Sequence, residues 1–323
     1  MEDVFSEEDS DEDSDEDTLM VTTLDDENVM RRYESFKKFD TLVDHSDHNL
    51  LWEMEEQSAS HSRGWEEIVK KQWKDLEKSL PGGIYVRGYK GRMDLLRACI
   101  VGPQGTPYHD GLFFFDMAFP SKYPEEHPVI EYHSCGLTIN LNFMCGYEWL
   151  RSCIRTRKYK WEGEELWEPG TSTMLHLLVF LQKLLNEKPF FNSSYYMSYI
   201  SIIENEISSI MYDECIFVKS LKTMGYIMRN PPQGFEDLVV GHFRERACDI
   251  LKACKAYKDG LQVGSNVSGA GCKFGTNSIT FMNDLDSCFE PLAVAFSKIG
   301  AREVADEFCH LVGIPSRIKL GES

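Results

Sequence analysis

Thiols are the side chains best suited to chemistry in this chain, and two of its ten cysteines stand in informative surroundings. Cys153 lies in Ser152-Cys153-Ile154, with Arg151, Arg155, Arg157, Lys158 and Lys160 around it. Cys145 precedes it in Cys145-Gly146-Tyr147. The thiolate is the nucleophilic form, and cations lower a thiol pKa when they lie close. The basic run reads either as a solvated loop or as the setting of a reactive sulfur. No two cysteines form Cys-x-x-Cys, so a zinc module is not expected. Asp44, His45, Asp47 and His48 sit within five residues, but nothing nearby adds ligands at fixed spacing, and no metal is expected there. The remaining cysteines read as small buried hydrophobes. Gly-x-Ser-x-Gly, a phosphate-cradling glycine loop and His-Glu-x-x-His are all missing from the sequence, which argues against a serine hydrolase, a kinase and a zinc protease.

The elements that must position these residues follow from periodicity. Trp65, Ile68, Val69, Trp73, Leu76 and Leu80 recur at helical spacing, and Pro81-Gly82-Gly83 ends that helix. Strand-like runs follow at 84–89, 93–101, 111–119 and 129–133, separated by Lys90-Gly91 and by the turn-rich stretch 102–107. In the third run Phe113 and Phe115 share one face and Leu112 and Phe114 the other, so both faces of the sheet must be covered. After an irregular stretch, 134–170, a second helix is predicted over 172–188. Met174, Leu177, Leu178, Leu181, Leu184 and Leu185 form its apolar face, Thr171 or Ser172 its cap and Pro189 its stop. Beyond 202 the chain reads as helices over about 202–228, 235–257 and 278–311, the last broken at Pro291, with a Gly/Ser-rich loop over 260–275. The fold class is α+β: an N-terminal helix, a four-stranded antiparallel meander, then helices, with an additional helical C-terminal segment.

The net charge is −19, but residues 1–17 carry eleven acids and no base, and removing those leaves −8. The first 30 or so residues are too acidic and too poor in apolar groups to fold on their own. They read as a solvating tail. Ser6, Ser10 and Ser14, each followed by three acids, suit an acid-directed kinase. The tail could also lie against the basic run around Cys153. A mildly acidic body makes nucleic acid a poor partner. No run of about 18 apolar residues suggests a membrane span, and an acidic beginning does not suit a secretory signal, so the cytosol or nucleus is the expected location.

The stretch from Ile84 to Tyr132 carries a further signal. Arg92-Met93-Asp94-Leu95-Leu96-Arg97, Gly105-Thr106-Pro107-Tyr108, Asp110-Gly111-Leu112-Phe113, Phe119-Pro120 and Tyr123-Pro124 resemble, in order, the core of large ubiquitin-conjugating enzymes of the plant type. Trp167, Pro169, Ser172, Thr173 and the run Leu185-Asn186-Glu187-Lys188-Pro189-Phe190 match the same class. The likeness covers roughly 38–200 and extends into 222–257, including Gly241-His242-Phe243-Arg244-Glu245-Arg246, a string that reads as a solvated helix face with local ion pairs. The resemblance implies a ubiquitin-conjugating (UBC-like) fold, with a disordered acidic tail at 1–48, a conjugating core at 49–200 and a helical extension at 201–323.

It also implies acyl transfer. A cysteine would take ubiquitin from the ubiquitin-activating enzyme as a thioester and pass it to lysines of a protein substrate, with or without a ubiquitin ligase. No cofactor is implied. By resemblance the helix at 65–80 faces the activating enzyme and the loop at 119–124 helps meet the ligase. The family's oxyanion-stabilising asparagine falls on Asn142, within Ile139-Asn140-Leu141-Asn142, where Leu141 replaces the family's proline. The family's cysteine lies eight residues further on, which here is Leu150, no nucleophile. A three-residue insertion would bring Cys153 to that place, in a Ser-Cys-Ile setting close to the family's Val-Cys-Leu and eight residues before Trp161-Glu162-Gly163. Cys153 and Asn142 are the candidate catalytic pair. Cys145 is a second candidate nucleophile. A third reading has no catalytic cysteine, the segment being a divergent loop or a gene-model fault and the chain a binding or scaffold variant of the fold.

Overall fold

A computed structural model describes residues 27–52, 64–133, 167–192, 202–265, 277–311 and 313. Its centre is a sheet of five strands, β1 Phe39–Leu42, β2 Ile84–Tyr89, β3 Arg92–Val101, β4 Leu112–Ala118 and β5 Val129–Tyr132, in the order β1-β2-β3-β4-β5. The last four form the expected antiparallel meander. The fifth, β1, pairs parallel to β2 at the edge, with Phe39 opposite Val86 and Leu42 opposite Tyr89.

That edge strand corrects the reading of 1–48 as disordered. Residues 27–34 are helical and 39–42 are sheet. The segment is polar, so its own periodicity is faint; its anchors are distant in sequence. The Tyr33 hydroxyl donates to Glu245 at 2.8 Å and Arg32 pairs with Asp237 at 3.1 Å. The Arg87 guanidinium lies 4.1 Å over the Phe36 ring and donates to the Lys37 carbonyl. Residues 1–26 lie outside the described residues.

Beyond the helical residues 27–34, the main helices are α1 Trp65–Ser79, α2 Met174–Leu184, α3 Ile202–Arg229, α4 Glu236–Lys258, α5 Ile279–Lys298 and α6 Arg302–Leu311, with a 3-10 turn at Pro189–Asn192. α1 buries Trp65, Val69, Gln72 and Leu76, one stripe of its surface. Its Trp73 ring lies over Gly88 of β2, where any side chain carbon would come within 2.9 Å of the indole. α2 is shorter than predicted and is capped by Thr173, whose hydroxyl accepts from the His176 N–H; Ser172 accepts instead from Glu168. α5 runs unbroken through Pro291, and the chain turns at Gly300 in the left-handed region instead. A proline inside a helix removes one hydrogen bond, but buried Leu285, Phe289, Leu292 and Phe296 hold both halves against the same core.

Alternation along the strands separates two cores, as the phenylalanine pattern requires. Leu96, Ala98 and Ile100 of β3 and Phe113, Phe115 and Met117 of β4 pack with α1 and α2. On the opposite face Cys99, Leu112 and Phe114 join Phe217, Leu221, Leu238, Val239, Phe243 and Phe289, so α3, α4, α5 and α6 share one core with the sheet. No described helix is long and apolar enough to cross a membrane.

Candidate functional site

The segment expected to carry the chemistry, with Asn142, Cys145, Cys153 and the basic run around Cys153, lies outside the described residues, as does the acidic tail. The structure places the two ends between which it runs. At one end His133 extends β5, its N–H donating to the Phe114 carbonyl at 2.8 Å and its Nδ1 lying 3.4 Å from Asp116. At the other, Trp167 is buried against Tyr123, ring centroids 5.7 Å apart, and its indole N–H donates to the Pro124 carbonyl at 3.0 Å.

A second indole fixes the same loop from below. Trp65, the first residue of α1, donates to the Pro120 carbonyl at 2.8 Å. The loop 119–124 is therefore clamped between α1 and the start of the 167–173 stretch. Phe119 is not part of the loop's surface. It is fully buried, 4.8 Å from the Tyr123 ring, so its role is core packing. The loop offers Lys122 to solvent, with Glu125 and Glu126 just beyond it, and α1 offers Lys70, Lys71, Lys74 and Lys78 together with Glu66, Glu67 and Glu77. Gln72 ties α1 to α2 by accepting the Met174 N–H at 2.9 Å.

Two buried ionic clusters escaped the sequence reading. In the first, Arg97 of β3 donates two hydrogen bonds to the carboxylate of Asp116 of β4, directly opposite in register, at 2.6 and 3.0 Å. The same guanidinium donates to the Asp47 carboxylate at 2.6 Å and to the Asp47 carbonyl at 2.8 Å. His48, dismissed as a metal ligand, is buried, bonded to the Leu96 carbonyl at 3.0 Å and 3.7 Å from Asp116. Burial alone would raise the Asp116 carboxyl, but hydrogen bonds from His133 and Arg97 and the Arg97 charge hold it far below the ordinary carboxylate range.

In the second cluster Asp110, at φ 63°, receives Arg246 at 2.6 Å and Gln104 at 2.7 Å, and pairs with His109 at 2.7 Å. His109 Nε2 meets the Tyr257 hydroxyl at 2.9 Å, and His242 bonds the Asp110 carbonyl at 2.9 Å. Despite burial, His109 and Arg246 keep the Asp110 carboxyl below its usual range. The string 241–246, expected as a solvated face, is thus where α4 docks. Gly241 is needed there because a Cβ would stand 2.2 Å from the Tyr33 side chain. Both ring nitrogens of His109 are engaged within the protein, so the cluster joins the helices to the sheet. The signal in the sequence was the company Gly241 and Arg246 keep in one string, but their partners stand over 130 residues away.

Among the described residues no group of three His, Cys, Asp or Glu side chains is arranged to hold a metal. Cys99, Cys254, Cys288 and Cys309 are buried, and Cys215 and Cys248 are exposed. Burial pushes the Cys254 thiol well up and Cys288 up to about 11, the reverse of what a nucleophile needs.

A family model for ubiquitin-conjugating enzymes matches residues 68–209, from α1 through the sheet and α2 into α3. The probable ubiquitin-conjugating enzyme E2 26 of Arabidopsis thaliana is 45% identical over 280 residues, covering 84% of this chain and 50% of that protein. The probable ubiquitin-conjugating enzyme E2 25 of the same plant is 46% identical over 272 residues, 82% of this chain and 44% of its own length. The chain spans about half the length of these two relatives. The putative ubiquitin-conjugating enzyme E2 38 of Arabidopsis thaliana is 43% identical over 281 residues, 84% of both chains. With the meander and α2 inside the span of the family model, and a relative 43% identical over 84% of both chains, the chain belongs to the ubiquitin-conjugating enzyme family.

Proposed function

We propose that this protein accepts ubiquitin as a thioester from the activating enzyme and transfers it to lysine side chains of protein substrates, with Cys153 as nucleophile and Asn142 as oxyanion donor. The observation that supports this reading is the family match, whose span, residues 68–209, includes both residues. In the first step the Cys153 thiolate attacks ubiquitin's activated C-terminal carbonyl; a new C–S bond forms and the activating enzyme's thiolate leaves. In the second a neutral lysine amine attacks, the C–N bond forms, the Cys153 thiolate departs, and the amine proton passes to a base or to solvent. The Asn142 amide would donate to the tetrahedral oxyanion in each step. The exposed Lys71, Lys74 and Lys78 of α1 would offer cations to a partner, and the hydrogen bond that joins α1 to the loop 119–124 would bring activating-enzyme and ligase faces close together.

A second reading, a non-catalytic binder, is favoured by one observation: the family's cysteine position falls on Leu150. Incubation with activating enzyme, ATP and ubiquitin separates them. A reductant-sensitive adduct lost in Cys153→Ser supports the transferase and its nucleophile. An adduct that survives the substitution moves the nucleophile elsewhere, and the absence of an adduct leaves the binder.

A further inference from the structure

Between the first turns of α3, the 3-10 turn at Pro189–Asn192 and the loop after α4 lies a cavity of about 470 Å³ whose lining includes neither Asn142 nor any candidate cysteine among the described residues. Its chemistry is lopsided. Asp213, Glu206 and Glu187 line it against a single cation, Lys188. Asp213 is the telling group: the residue is only 6% exposed, and its Oδ1 is buried with no hydrogen-bond partner among the described residues. Buried carboxylate oxygens are ordinarily paired, so an orphan facing a cavity marks a missing donor. Burial, only partly offset by Lys188 and reinforced by Glu214, pushes this carboxyl up to about 8. The walls are apolar where Phe191, Ile210 and Val263 stand. On the adjoining surface of α3, Ile207 and Met211 are more than half exposed.

Acidic oxygens at the base and apolar walls above suit a cation on a hydrocarbon stem better than a metal ion, which would demand several converging ligands. We propose that this cavity binds the ammonium or guanidinium end of a flexible alkyl chain, with Asp213 as its buried anchor and Glu206 and Glu187 at the rim. A lysine or arginine side chain of a partner protein and a free polyamine share that chemistry. The exposed Ile207 and Met211 favour the side chain, because they offer contacts to its apolar neighbours in sequence.

The test uses the full chain and four probes: acetyl-Leu-Arg-Leu-amide, acetyl-Leu-Lys-Leu-amide, acetyl-Leu-norleucine-Leu-amide and spermidine, titrated by calorimetry at pH 7. The cationic peptides should bind at least tenfold more tightly than the norleucine peptide, and Asp213→Asn should erase that preference while circular dichroism shows the fold intact. Glu206→Gln, at an exposed position, should weaken binding about threefold, which keeps the proposal testable should Asp213→Asn fail to fold. Binding should also release a proton, read as a dependence of the heat on the ionisation enthalpy of the buffer, because the cation ionises Asp213. Of the other charged groups near Asp213, Glu206 and Glu214 are on the same helix, the latter bonded to Ser278, Glu187 and Lys188 immediately precede the 3-10 turn, and the loop 262–265 contributes no titratable side chain. Spermidine binding tighter than either peptide, and lost in Asp213→Asn, supports the site and assigns it to a free polyamine. Equal binding of the norleucine peptide, or cation binding untouched by both substitutions, overturns it.

Discussion

Arg97→Met tests whether the β3–β4 ion cluster holds the N-terminal segment to the sheet. Arg97 and Asp116 have no exposed side-chain surface, and Arg97 makes four hydrogen bonds, two to Asp116 and two to Asp47. Methionine fills much of the volume but removes the charge. Asp116 would then keep only the Asn49 N–H, at 2.9 Å, and the nearby rings of His48 and His133. Stranding one member of a buried pair costs about 3–5 kcal/mol. At about 2 °C per kcal/mol for a chain of this size, the melting temperature should fall by roughly 6–10 °C. Replacing both partners, as Arg97→Met with Asp116→Leu, removes the stranded charge and should recover at least half of that loss, since an apolar pair of similar volume is often neutral. The pH dependence follows from the depressed Asp116 carboxyl. Its stabilising contribution is present above the unfolded value near pH 4 and is lost as pH falls through the folded one. The gap between wild type and Arg97→Met is therefore widest near pH 7 and narrows toward pH 3. Urea melts followed by circular dichroism at the two pH values measure it. A single variant that loses less than about 1 kcal/mol, or a double variant less stable than the single one, would refute the reasoning.

Asp213 gives the opposite sign. Its raised carboxyl binds a proton in the folded chain between about pH 4 and pH 8 that the unfolded chain has released, so stability falls as pH rises across that window. Asp213→Asn should gain on wild type by up to roughly 2–3 kcal/mol between pH 5 and pH 7, read from parallel thermal melts. Phe235→Ala, beside Phe114 at 5.1 Å and Phe36 at 6.2 Å, should cost about 3–5 kcal/mol and loosen residues 27–42, seen as faster amide exchange there. Reversing Lys70, Lys71 and Lys74 together to Glu should slow thioester formation about tenfold at low ionic strength and less at high, a salt dependence that a merely misfolded variant would not show.

Local pattern carried much of this protein. The stripe from Trp65 to Leu80 dictated α1, and the alternation in Leu112–Phe115 dictated a sheet buried on both faces, because helix and strand periodicities are set by the backbone within a few residues. The ordered motifs from Arg92 to Phe190 carried the family as well, since long runs of matching residues do not need coordinates. Three features needed the tertiary structure. Residues 27–48 look like solvated chain because their partners, Glu245, Asp237 and Phe235, stand about 200 residues away. Arg246 looks like a surface charge until Asp110 is found beside it. Asp213 looks like any acid on a helix until its oxygen is seen buried with no donor among the described residues. In each case the deciding energy is burial or ion pairing across the fold. Those terms depend on which distant groups meet and on how much water is excluded, quantities that a sequence does not contain locally.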